Sequence, residues 1–167
     1  MSDETIITSI IEALAICSNI IESAENEVVY LSPYSLLVLA PQFGLAERTK
    51  TLIQKGGHMR GIGHVRGIAD FSYPYIKEIR QRLDTGADVR YVSQYQGIFM
   101  LVADKRESIS SMSIDVESLS IDTPIVALWS NNPTYGEYLI SNFEIAWKQS
   151  VPAAQWIEEF ERGAVDI

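Results

Sequence analysis

The sequence predicts an α/β domain in which a mixed β-sheet is flanked by helices. In the first half, short β-branched runs alternate with amphipathic stretches, which is typical of parallel strands joined by helical crossovers. After residue 95 the predicted strands follow one another closely, as antiparallel strands do. Two amphipathic stretches then close the chain. We expect one domain over residues 1–167: a helix over 3–24, an α/β core over 27–149 and a C-terminal helix over 152–163.

The first predicted helix covers residues 3–24 and has Asp3 as its N-cap. Its apolar residues recur at spacings of three and four, giving a stripe formed by Ile7, Ile10, Leu14, Cys17 and Ile21. Residues 27–33 form an apolar, β-branched run that proline ends, which predicts a buried strand.

The next elements follow the same alternation. Residues 34–55 have a helical pattern, with a break near Pro41 and Gly44. Residues 58–65 form a second predicted strand, and residues 73–83 form a helix.

The second half contains a hairpin and two helices. A strand is predicted over 88–93, and strands over 97–103 and 107–115 pair across a turn at residues 104–106. The remaining predicted elements are a strand over 124–130 and helices over 133–149 and 152–162.

Composition excludes several classes of protein. Of the residues, 47% are hydrophobic and 21% charged, which excludes a disordered chain. The single cysteine, Cys17, excludes an intrachain disulfide and a zinc site of the CxxC kind. The net charge of −9 argues against a nucleic-acid partner. With neither a basic leader nor a long apolar run, the sequence predicts a cytoplasmic protein without membrane insertion.

The charge is distributed unevenly. Residues 1–47 carry −7, residues 48–106 carry +6 and residues 107–167 carry −8. The basic middle segment is either an anion site or a surface neutralised by the acidic ends. Neutralisation is the favoured interpretation, because oppositely charged segments of one small domain usually become neighbours.

Three C-terminal motifs carry a resemblance to known proteins. They are Leu-Trp-Ser-Asn at 128–131, Phe-Glu-Ile-Ala-Trp at 143–147 and Val-Pro-Ala-Ala-Gln-Trp-Ile-Glu-Glu-Phe-Glu-Arg-Gly at 151–163. With the order of elements, they resemble one half of the phospholipase D superfamily fold. They resemble the non-catalytic ligand-sensing domains of archaeal TrmB-type regulators, and more closely the sensor regions of archaeal, thaumarchaeal-type signal-transduction histidine kinases. The resemblance implies a small-molecule ligand, a transmitter (kinase or regulator) domain as partner, and a homodimer.

The superfamily enzymes use a His-x-Lys-x-x-x-x-Asp motif, in which the histidine attacks phosphorus and the lysine binds phosphate oxygens. The corresponding positions here are Gly97, Phe99 and Asp104. Because nothing else in the motif can form the phospho-enzyme, we expect no catalytic activity and no catalytic residue. No cofactor is expected.

His64, Arg66 and Asp70 form a similar triple with shorter spacing. On this triple rests an alternative interpretation of the protein as a phosphodiesterase or nuclease. Because arginine can bind an anion with two hydrogen bonds, the triple is also suited to binding an anion without catalysis. The structural alternative is a buried His64 with a local Arg66–Asp70 pair. His58 and His64 alone make a poor metal site, so none is predicted.

The predicted ligand site lies at the carboxyl ends of the strands, where α/β sheets bind ligands. Its residues are His64, Arg66, Tyr73, Trp129, Ser130 and Asn131. Gly61 and Gly63 either form a crevice wall or permit tight packing. The favoured function is a non-catalytic sensory domain of an archaeal signal-transduction protein, which relays ligand binding through its terminal helices. A pure dimerisation module is a further alternative.

Overall fold

The computed structural model describes residues 2–33, 36, 43–64, 73–93, 98–111 and 120–162, without the side chains of 73–75. The described elements are β1 (Glu4–Ser9), α1 (Ile10–Ser23), β2 (Glu27–Pro33), α2 (Leu45–Gln54), β3 (His58–His64), α3 (Tyr73–Asp84), β4 (Asp88–Val92), β5 (Phe99–Ala103), β6 (Glu107–Ser111), β7 (Pro124–Ser130), α4 (Pro133–Gln149), β8 (Val151–Pro152) and α5 (Ala153–Glu161). Within these ranges, no helix has the length and apolar character needed to cross a membrane. A cytoplasmic location stays a prediction.

One mixed sheet of eight strands forms the centre, in the order β1-β7-β6-β5-β2-β3-β4-β8. Strands β2, β3 and β4 are parallel, whereas the pairs β2–β5, β5–β6, β6–β7, β1–β7 and β4–β8 are antiparallel. The predicted class, a mixed α/β sheet with parallel strands first and antiparallel strands later, is confirmed. Because β1 and β8 belong to the sheet, it extends beyond the predicted core of residues 27–149 at both ends.

The sheet has two edges that matter for function. We call the edge where β2, β3 and β4 end the carboxyl edge, and the opposite one the amino edge. Antiparallel pairing brings Phe99, at the start of β5, to the carboxyl edge beside Ser111. The turn at Asp104 and the end of β7 at Ser130 lie at the amino edge, because Ser130 pairs with Ser108.

The two faces of the sheet carry separate cores. Face A is covered by α1, α2, α3 and α5, and its core includes Tyr30, Met59, Phe99 and Leu101. Face B is covered by α4 and its core is built around Phe143. Side chains alternate between the faces along each strand, so Gly61 faces the Tyr30 side and His64 faces the α4 side.

The predicted helix over residues 3–24 is wrong in its first part. Residues Glu4–Ser9 form β1, which pairs antiparallel with β7, and Ser9, not Asp3, is the N-cap of α1. The Thr5-Ile6-Ile7-Thr8 run is β-branched and suits an edge strand. Ile7 is 2% exposed and Ile6 is 61% exposed, as a strand with one buried face requires.

Most other boundaries agree with the sequence. The strand over 124–130 and the helix over 133–149 are confirmed at both ends, and the two-residue strand β8 was not predicted. The predicted helix over 34–55 is described only in part, as α2. Pro41, Val65, Gly97 and residues 112–115 of the predicted elements lie outside the described residues.

Candidate functional site

The residue that the sequence spacing aligns with the superfamily lysine lies in the core. Phe99 is 5% exposed and belongs to the face A cluster with Tyr30 and Leu101. A phenyl ring in that place can neither bind phosphate nor transfer a proton. Gly97, at the position of the nucleophile, lies outside the described residues, but glycine has no side chain to attack phosphorus with.

Asp104 holds the turn between β5 and β6. Its carboxylate accepts hydrogen bonds from the backbone N–H groups of Glu25, Asn26 and Glu27 at 2.9, 2.8 and 2.9 Å. Burial alone would raise the pKa of Asp104, but these hydrogen bonds, with help from Arg106, hold the pKa below its ordinary value. Asp104 has a φ of 52°, a left-handed conformation that aspartate tolerates. The aspartate therefore has a structural role that needs no catalytic partner.

His64 is buried on face B at the carboxyl edge. It is 2% exposed, and its Nε2 donates to the carbonyl oxygen of Ile98 at 3.1 Å. Of its two proposed partners, neither Arg66 nor Asp70 lies in the described part of the chain, and Tyr73 begins α3 with its side chain outside that part. His64 thus faces α4, whereas Phe99 points to the other face of the sheet.

Trp129, Ser130 and Asn131 are found at the amino edge, engaged in contacts within the fold. Trp129 Nε1 donates to Glu107 at 3.1 Å, and Asn131 Oδ1 accepts from the N–H of Asp3 at 2.6 Å. Ser130 is fully buried, and its Oγ accepts from the N–H of Asn132 at 3.1 Å.

The predicted six-residue site is therefore not one site. His64 lies at the carboxyl edge and Ser130 at the amino edge, because β7 runs antiparallel to β6 and ends beside Ser108. The strand-to-helix junction instead caps α4, where Asn132 Oδ1 accepts from the N–H of Thr134 at 2.9 Å.

Three basic side chains of the middle segment form ion pairs with the two acidic ends of the chain, in the direction that the favoured interpretation expected. Arg60 lies 2.9 Å from Glu27 and 2.6 Å from Glu144, one from each end. Ion pairs of the same kind join Arg48 to Glu22 and Arg80 to Glu161. Among the described residues, no group of three or more histidine, cysteine or acidic side chains is placed to hold a metal ion.

Gly61 is a packing position. A Cβ at Gly61 would lie 2.0 Å from Cζ and 2.3 Å from the hydroxyl oxygen of Tyr30, so the ring of Tyr30 rests directly on the glycine. The two residues are partners in the β2–β3 ladder. Of the two interpretations of this glycine, tight packing is the one that the contact supports.

Beside Tyr30, face A contains a cavity of about 50 Å³. Its apolar wall consists of Leu14, Cys17, Ile21, Leu36, Leu45, Met59, Phe99 and Leu101, and its polar wall of Tyr30, Ser32, Thr49 and Arg82. The Tyr30 hydroxyl is buried and has no hydrogen-bond partner among the described residues. Arg82 is 8% exposed and is the single charged group among the described residues that line the space.

Sequence reasoning missed this cavity, although two signals point toward it. Tyr30 is a polar ring in the middle of a buried apolar strand. Arg82 follows Ile76 and Ile79 at three-residue steps, so it continues the inward stripe of α3 where a solvent-facing charge is the usual pattern.

The solved structures that are similar to this chain include three with the following similarities. Nuc from Salmonella typhimurium, a phospholipase D family member, has a TM-score of 0.72 at 13% identity, over 91% of this chain and 98% of its own. NucT from Helicobacter pylori has a TM-score of 0.66 at 12% identity, over 91% and 99%. TrmBL2, an archaeal chromatin protein, has a TM-score of 0.65 at 13% identity, over 88% of this chain.

The fold is phospholipase D-like. By sequence, the chain matches no protein-family model and no curated protein. It spans about half of TrmBL2, 52% of that chain. The resemblance to the superfamily is thereby confirmed for the fold, while a sensor role and a histidine kinase context stay proposals.

The exclusion of nucleic acid as a partner is wrong. TrmBL2, whose fold this chain shares, is described as a chromatin protein with a novel mode of DNA binding. The argument from the net charge of −9 failed because whole-molecule charge does not determine the charge of one local surface.

Proposed function

We propose that this chain is a non-catalytic regulatory domain of a signal-transduction protein, which binds a small ligand in the cavity of face A. The observation that carries the proposal is Phe99. It occupies the position where a superfamily enzyme holds its phosphate-binding lysine, and it forms part of the wall of the cavity. The phospholipase D-like fold is then used to bind a molecule and not to cleave one.

The mixed lining of the cavity supports binding. Ser32, Thr49 and Arg82 lie among its apolar residues, and ligand pockets usually combine an apolar wall with a few polar groups. We therefore assign the ligand to this cavity and not to the dispersed residues of the two sheet edges.

Relay of binding through the terminal helices follows from the lining. Leu14, Cys17 and Ile21 belong to α1, so a ligand that fills the space contacts the first helix of the chain directly. A ligand shifts a conformational equilibrium only through contacts that differ between the two states, and α1 is the element that supplies such contacts.

A thermal-shift screen over classes of small metabolites tests this function. The matched control is Cys17→Leu, which adds a net two non-hydrogen atoms to the wall of the cavity and keeps an apolar residue in α1. We expect at least one class to raise the melting temperature of the natural chain and not that of the variant. If every class leaves both proteins unchanged, ligand sensing in this cavity is refuted.

Phosphodiester hydrolysis is the alternative function to exclude. With bis(p-nitrophenyl) phosphate and with single-stranded DNA, we expect no turnover above a buffer blank. Turnover that His64→Ala abolishes, with the melting temperature of the variant unchanged, would establish the hydrolase interpretation in place of ours.

A further inference from the structure

Face B has a pocket of its own, between α4 and the sheet, with a volume of about 120 Å³. Its floor is formed by Leu31 of β2 and Met100 of β5, which are partners in the β2–β5 ladder, and by Ile98 just before β5. Its roof consists of four residues of α4 at helical spacings of three and four, and hence on one side of the helix: Tyr135, Tyr138, Leu139 and Asn142.

Two tyrosines make part of this roof aromatic. The rings of Tyr135 and Tyr138 stack with their centroids 6.2 Å apart and their planes 24° apart. The Tyr135 hydroxyl lies 2.7 Å from Ser110 Oγ on β6, so this ring is held to the sheet. Tyr138 is 61% exposed, and most of its ring is therefore free for contact with a ligand.

The aromatic rings select for a further aromatic ring. Stacked and edge-on contacts between aromatic rings are more favourable than the burial of the same area by an aliphatic group. The thioether of Met100, in the floor, also makes favourable contacts with aromatic rings. An aromatic ligand is therefore expected to bind more tightly than an aliphatic ligand of the same size.

Asn142 supplies a hydrogen-bond acceptor at the open side of the pocket. Its Nδ2 donates to the carbonyl oxygen of Tyr138 at 3.1 Å, which determines the orientation of the amide. The Oδ1 atom of this exposed side chain has no hydrogen-bond partner among the described residues. A ligand that donates a hydrogen bond can therefore bind to it.

The volume of the pocket limits the ligand to one ring. A space of about 120 Å³ is about four fifths of the 150 Å³ cavity that accommodates benzene. The side with Tyr138 and Asn142 is open to solvent, so a substituent of the ring can extend there.

We propose that the pocket of face B is a second ligand site, which binds a single aromatic ring with a hydroxyl group, as in phenol. The ring lies between the floor and Tyr138, and its hydroxyl donates to Asn142 Oδ1. This site lies on the opposite face of the sheet from the cavity of the proposed function and does not depend on it.

The test compares three molecules of similar size by calorimetry at pH 7.5. Phenol has the ring and the donor, anisole has the ring without a donor, and cyclohexanol has the donor without an aromatic ring. For a ligand of this size we expect phenol to bind with a dissociation constant of roughly 1 mM or below. It should bind about fivefold more tightly than either of the other two.

Two variants assign the binding to these side chains. Tyr138→Ala shortens an exposed side chain and is expected to weaken phenol about fivefold while it leaves cyclohexanol unchanged. Asn142→Ala should weaken phenol to the level of anisole and leave anisole unchanged. Ile145→Ala, at a 54% exposed position of α4 away from the pocket, is the folded control with unchanged binding.

The outcomes separate this site from the cavity of face A. Phenol binding that survives Cys17→Leu but is weakened by Tyr138→Ala supports the pocket of face B, whatever the metabolite screen shows. Binding that Cys17→Leu blocks places phenol in the cavity of face A and overturns the proposal. Equal binding of phenol and cyclohexanol, binding that both α4 variants retain, or no binding of phenol also overturns it.

Discussion

Gly61→Ala tests the contact that positions Tyr30 beside the cavity. The added methyl carbon would lie 2.0 Å from Cζ of Tyr30, so the ring must move by about 1.4 Å to reach ordinary contact. Tyr30 is 6% exposed within the face A core, and close-packed interiors do not yield by such distances without strain.

Overpacking of this kind costs about 1–3 kcal/mol, and the alanine recovers roughly 0.5–1 kcal/mol of backbone entropy. We therefore expect a net loss of about 1 kcal/mol in the free energy of unfolding, measured by urea denaturation. The melting temperature is expected to fall by about 2–4 °C, as for domains of this length.

A double variant isolates the cause of the loss. In a Tyr30→Leu background the ring atoms that clash are absent, so Gly61→Ala should then cost less than about 0.5 kcal/mol. Gly56→Ala controls for an added methyl group in open space, where φ is 92° and only backbone strain is expected. An equal loss from Gly61→Ala in both backgrounds would refute the contact.

Three further predictions concern single residues. Asp104→Asn should lower the free energy of unfolding by about 1 kcal/mol at pH 7, because it weakens charge-assisted hydrogen bonds to three amides. An aspartate whose pKa is lowered in the folded protein stabilises the fold at any pH above the pKa that it has in the unfolded chain. The difference in urea midpoint between the natural chain and the variant should therefore be largest above about pH 5 and shrink below about pH 4. A difference that stays constant with pH would contradict this role of Asp104. Burial raises the pKa of Cys17 to about 12, so the native thiol should not react with Ellman's reagent at pH 8, and rapid reaction would mean that α1 opens. Asn132→Ala removes the N-cap of α4 and should lower the free energy of unfolding by about 1 kcal/mol, measured by urea denaturation. An unchanged urea midpoint would show that this cap does not stabilise the helix.

The sequence predicted those parts of the fold that depend on local patterns. Proline at residues 124 and 133 begins the strand and the helix where the structure has them, and proline is a strong local signal. By contrast, β1 depends on pairing with β7, more than one hundred residues later. The β-branched run of β1 also fits the apolar stripe of a helix. It forms a strand and not a helix because β7 offers it a free edge to pair with.

The proposed ligand site was harder to predict because its place depends on strand order. The sequence places His64 and Ser130 each at the end of a strand, but it does not say that β7 ends at the opposite edge. The cavity joins Tyr30 of β2 to Arg82 of α3, and only the tertiary packing of α3 on the sheet brings them together. The expectation that Phe99 stands where the superfamily enzymes have a lysine, in contrast, comes from the sequence spacing alone.

The central claim is our proposal that this phospholipase D-like fold binds a small ligand in the cavity of face A. The most direct measurement is a high-resolution crystal structure of the protein grown with a compound that raises its melting temperature. The account predicts density for that compound in the cavity, in contact with Leu14 and Cys17 of α1. A collapsed cavity, with the compound bound elsewhere, would contradict it.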